Sequence, residues 1–139
     1  MKKSILSVVL ISLFSARKRA IVETDLSKMN GYWEIAKVEM KEGEDKDYKV
    51  NPTVDYIEIK GKSGFRQKVM PQLDGTFRTN NLQEQITLTA NDGSWFLNYK
   101  TAYGTWKEEL VELTDSVLVL KNQAELEYHY KKFKPFSKK

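Results

Sequence analysis

From Gly31 onward the chain alternates apolar and polar residues in short runs, each closed by a turn signal. That is the period-two pattern of strands with one buried face. The first run is Gly31-Tyr32-Trp33-Glu34-Ile35-Ala36-Lys37-Val38-Glu39-Met40, with Trp33 and Ile35 on the same side. Val54-Asp55-Tyr56-Ile57-Glu58-Ile59 alternates in the same way and turns at Gly61-Lys62-Ser63-Gly64. Phe65 to Met70 follows, placing Phe65, Gln67 and Val69 together, until Pro71 interrupts it. Thr76-Phe77-Arg78-Thr79 is a short strand of its own. Gln85 to Ala90 turns Ile86, Leu88 and Ala90 inward, and Asn91-Asp92-Gly93 marks a hairpin into Trp95, Leu97 and Tyr99. Ala102-Tyr103-Gly104 leads into Thr105 to Leu113. Ser116 to Leu120, apolar on both sides, and Leu126 to Tyr130 complete nine strand candidates. Asp25 to Met29 reads as one short helical turn capped by Asp25.

Regular short strands with almost no helix predict an all-β fold, a sandwich or a barrel; with the resemblance described below, the expectation is one up-and-down antiparallel β-barrel of eight or more strands. The boundaries are an export segment over residues 1–20, a barrel over 21–133 and a basic flexible tail over 134–139. Glu42 to Asp47 is a charged loop long enough to lie over one barrel mouth.

The opening Gly31-Tyr32-Trp33 after a short turn resembles the start of a lipocalin, where the Trp closes the barrel floor. The span 26–133 resembles the small lipocalin-like domains of bacterial exported lipoproteins. The later half carries more of that likeness, in Thr105-Trp106-Lys107-Glu108, Leu113-Thr114-Asp115, Leu118-Val119-Leu120 and Glu127-Tyr128-His129-Tyr130. The resemblance implies a barrel with one open end and no agreed substrate or reaction. No helix is recognisable after the last strand, so a fatty-acid-binding-protein-like clam and an avidin-like barrel are architectural neighbours.

Composition changes the picture in two places. The net charge of +4 comes from the ends: residues 1–20 and 131–139 carry five basic residues each and no acid. With those ten of the 23 basic residues set aside, residues 21–130 hold 13 against all 19 acids, a net of −6. A nucleic-acid partner is therefore not expected, since phosphate needs a basic folded face. The chain has no cysteine, which removes disulfides and thiolate chemistry.

Met1-Lys2-Lys3 followed by the apolar run Ser4 to Ser15 has the form of an export signal, too short to span a bilayer stably. Leu13-Phe14-Ser15-Ala16 resembles a bacterial lipoprotein signal in which Ala16 stands at the lipidated Cys position. As written, Ala16 cannot carry a lipid; a native Cys there would make the N-terminus membrane-associated. The expected location is the periplasm or outer membrane of a Gram-negative cell.

Candidate chemistry is sparse. A single histidine, His129, cannot build a triad or a multi-histidine metal site, and it should point to solvent opposite Tyr128 and Tyr130. No catalytic residue, metal site or cofactor is expected. Lys107-Glu108-Glu109 forces a choice: Trp106, Glu108 and Leu110 share one face, and Lys107, Glu109, Val111 and Leu113 the other. Either face brings a carboxylate inside unless a bulge resets the register. Glu108 beside Trp106 is preferred, paired with Arg66 or Arg78. The lumen candidates are Trp33, Phe65, Arg66, Phe77, Arg78, Trp95, Tyr99, Trp106, Glu108, Tyr128 and Tyr130. Such a lumen either holds a small apolar or amphipathic ligand or is filled by its own side chains. The functional alternatives are a ligand-binding barrel and a non-catalytic accessory subunit docking a larger cell-envelope protein complex.

Overall fold

The computed structural model describes residues 20–40, the backbone of 46–47, and 53–135. The expected export segment and most of the charged loop after Met40 lie outside the described residues, as does the end of the basic tail. The described strands are β1 (Gly31–Glu39), β2 (Lys46–Asp47), β3 (Val54–Lys60), β4 (Ser63–Pro71), β5 (Phe77–Asn91), β6 (Ser94–Thr101), β7 (Gly104–Leu113), β8 (Val117–Lys121) and β9 (Glu127–Lys132). From β3 to β9 each strand pairs with the next, β3 pairs with β1, and β9 pairs back onto β1. This closes an eight-stranded antiparallel barrel, with two-residue β2 added beside β1. Thr76–Thr79 and Gln85–Ala90, read from sequence as separate strands, are parts of the single long β5. The exposed run Asn80 to Gln83 hid that continuity, because an exposed strand segment shows no apolar alternation.

One end of the barrel is plugged. A 3-10 helix, Glu23–Met29, buries Leu26 and Met29 against Trp33, Ile59, Leu113 and Leu118. The helix starts earlier than Asp25: the Asp25 carboxylate reaches back to accept the Val22 N–H at 3.0 Å, so it caps from inside the first turn. Trp33 is fully buried and donates its indole N–H to the Met29 carbonyl at 2.8 Å. Gly31 (φ +122°) holds a conformation that side chains rarely adopt, and its missing Cβ leaves room for the Lys132 ammonium. That ammonium lies 4.3 Å from the Trp33 ring centroid and donates to the Asn30 carbonyl at 2.6 Å. The Gly-x-Trp opening thus works as a unit with the last strand.

Two bulges set which residues face inward. Between Ile35 and Lys37 an extra residue lets Ile35 and Val38 both turn in, opposite Tyr130 and Tyr128. Between Leu110 and Glu112 another does the same for Leu110 and Leu113, opposite Leu120 and Leu118. A third irregularity sets Asn80, Asn81 and Leu82 against Lys68 alone. Asn81 takes a left-handed conformation (φ 61°), with its N–H on Thr79 Oγ1. Beyond this corner the β4–β5 arm lies over the outside of the barrel. Phe77 stacks on Tyr32 at 4.1 Å and meets Phe133 at 6.4 Å, while Tyr32 also contacts Tyr56.

A candidate ligand site in the barrel mouth

Period two along β4 sends Arg66 and Lys68 inward, opposite Ile57 and Asp55 of β3. Pairing across β5, β6 and β7 brings Glu84, Tyr99, Trp106 and Glu108 onto the same interior wall. The Arg66 guanidinium grips Glu84 with two hydrogen bonds, at 2.8 and 3.1 Å. It also donates to Glu108 at 3.2 Å and to the Tyr99 hydroxyl at 3.1 Å. Arg66 lies over the Tyr99 ring (4.3 Å), which in turn stacks on Trp106 at 5.3 Å. Glu108 is buried and fully engaged, so the interior charge is neutralised where it lies.

Below this wall the barrel is packed. Ile57, Ile86, Leu88, Leu97, Leu110, Leu118 and Leu120 fill its lower interior. Above it a cavity of about 240 Å³ opens at the end away from the helix. Trp33, Ile35 and Val38 give it an apolar side; Asp55, Lys68, Tyr128 and Tyr130 give it a polar one. Asp55 is buried and paired with the more exposed Lys68 at 3.1 Å. Tyr128 receives a long bond from Asn122 Nδ2 at 3.5 Å. The Tyr130 hydroxyl has no hydrogen-bond partner among the described residues. Burial, with the Asp55 and Glu108 charges, holds it well above the ordinary tyrosine range, so it stays a donor. Tyr99 is raised in the same direction, mainly by burial.

The sequence candidates divide by position. Trp33, Arg66, Tyr99, Trp106, Glu108, Tyr128 and Tyr130 face the interior, but only Trp33, Tyr128 and Tyr130 line the cavity. Trp95 also faces inward, yet at the plugged end, where its indole N–H donates to the Ile21 carbonyl at 3.1 Å. Three candidates require correction. Phe65 and Phe77 belong to the outer aromatic cluster with Tyr56 and Tyr32, because β4 turns Arg66 inward and the arm folds outside. Arg78 is exposed on that arm; among the described residues it is Arg66 that pairs with Glu108. Ile35, Val38, Asp55 and Lys68 were not singled out from sequence. Asp55 shares a face with Ile57 and Ile59, and Lys68 with Arg66, so alternation carried the signal for both.

A profile of the lipocalin-like domain matches residues 29–120. The chain belongs to this lipocalin-like family. A solved lipocalin-like protein from Bacteroides uniformis is similar at 12% identity and a TM-score of 0.48, covering 76% of this chain and 99% of that one. No curated protein matches the chain. The lipocalin-like barrel is in general a binding fold rather than a catalytic one. Its interior here suits that use: Asp55, Glu84 and Glu108 are each tied to a cation, which leaves hydrogen-bond donors and apolar surface facing the mouth.

Proposed function

We propose that this lipocalin-like protein acts as a carrier or sensor for one small amphipathic molecule held in the barrel mouth, without catalysis. The observation that carries the reading is the Tyr130 hydroxyl, half-buried in the wall of the 240 Å³ cavity and without a hydrogen-bond partner among the described residues. The ligand's acceptor group would meet Tyr130 and Lys68, and its apolar part would lie against Ile35 and Val38. The cavity is smaller than those that enclose drug-sized ligands, so the molecule is small or projects from the mouth.

Native mass spectrometry and solvent extraction of the protein from its own host test this. A discrete small molecule should accompany the wild type and be lost from Val38→Trp, which fills the cavity while the far-UV spectrum is unchanged. Tyr130→Phe should retain the ligand more weakly. A wild type that carries nothing and is not stabilised by any amphipathic compound would end the proposal. Equal retention by Val38→Trp would show that the ligand sits elsewhere.

A further inference from the structure

On the outer face of the seam between β1 and β9, alternation places Glu127 and His129 side by side, and pairing sets Glu39 directly opposite Glu127. Two carboxylates facing each other across paired strands repel. His129 Nε2 points at both, 3.5 Å from Glu39 Oε2 and 3.4 Å from Glu127 Oε1. Neither contact is a hydrogen bond: the Nε2 atom is sealed from solvent and has no hydrogen-bond partner among the described residues. Nearby cations leave this arrangement in place. Lys37, opposite His129, takes the other Glu39 oxygen at 2.6 Å, and Lys121 stands across from Glu127 on β8.

We propose that Glu39, Glu127 and His129 form a zinc site on the outside of the barrel seam. One imidazole nitrogen and two carboxylate oxygens, all within 4.8 Å of one another, are a ligand set for a divalent transition ion. Tetrahedral bonds of about 2.0–2.1 Å require ligand atoms about 3.3–3.4 Å apart, close to the spacings around Nε2. Calcium and magnesium, which take oxygen ligands, are poorly served by the imidazole. With three protein ligands the fourth position falls to water. An ion here ties together the two strands whose pairing closes the barrel. It does so directly outside Val38 and Tyr128, whose side chains line the mouth cavity.

Zinc titration of the tag-free full chain by calorimetry tests the site. With one histidine and no cysteine in the chain, a site with an imidazole ligand can only run through His129. One equivalent of zinc should bind, and the thermal midpoint should rise by a few degrees and fall back with chelator. His129→Gln should abolish both effects. Glu39→Gln and Glu127→Gln should each weaken binding about tenfold or more, since loss of even outer-shell partners costs that much. Glu39→Gln lies on a half-exposed position and keeps the test valid if the histidine variant does not fold. No zinc binding to the wild type, or equal binding by His129→Gln, would overturn the proposal.

Discussion

Arg66 holds two interior carboxylates, and the geometry ranks what each is worth. Glu84 receives two of its hydrogen bonds and Glu108 one. Arg66→Ala would leave both carboxylates inside without their cation and should destabilise the barrel by about 3–5 kcal/mol. Glu108→Ala leaves Arg66 paired with Glu84 and should cost less, about 1.5–3 kcal/mol for a charged hydrogen bond. Glu109 points outward, and Glu109→Ala should change stability by under about 0.5 kcal/mol. Urea denaturation of the three variants gives the order directly. A costlier Glu109 than Glu108 would mean that β7 is registered the other way.

The β4–β5 arm is the element least bound to the barrel interior. It turns at the three-residue corner ending in Leu82 and is held on the outside through Phe77. Aromatic stacking of this kind contributes about 0.5–1.5 kcal/mol beyond area burial, enough to dock a hairpin but not to fold a barrel. Phe77→Ala should therefore release the arm without unfolding the molecule. Limited proteolysis should cut near exposed Arg78 much faster than in the wild type, while amide protection in β6 to β8 stays unchanged. If protection falls everywhere together, the arm is part of the cooperative core.

At the scale of the whole molecule, burying tyrosines inside the barrel ties stability to alkaline pH. Tyr99 and Tyr130 are both held above the ordinary tyrosine value, first by burial. In the unfolded chain they lose their protons near about pH 10, whereas the folded barrel keeps them. Their contribution is full below that pH and is lost as pH rises from there toward the folded values. Denaturation across about pH 9 to 11 should show falling stability, with a shallower slope in Tyr130→Phe. Phenolate absorbance should show these two ionising only with unfolding; their early titration in folded protein would contradict the burial.

The alternation of apolar and polar residues determined by itself that this is an all-β fold of short strands, because period two fixes which face of each strand is buried; the lipocalin resemblance pointed to a barrel. Alternation also set Trp33 on an inward face and favoured Glu108 inside with Trp106, but the rival face of that strand stayed open until the structure placed it. What it could not decide was everything that depends on a break in that period. Bulges at Ala36 and Val111 let both of the competing apolar sets turn inward. The corner at Asn80 to Leu82 carried Phe77 outside, although its residue type suits a lumen. The mouth cavity, the choice of Arg66 over Arg78 and the meeting of Glu39 with His129 arise from closure. Closure pairs the first strand with the last, and that contact, about a hundred residues apart in the chain, has no local signature.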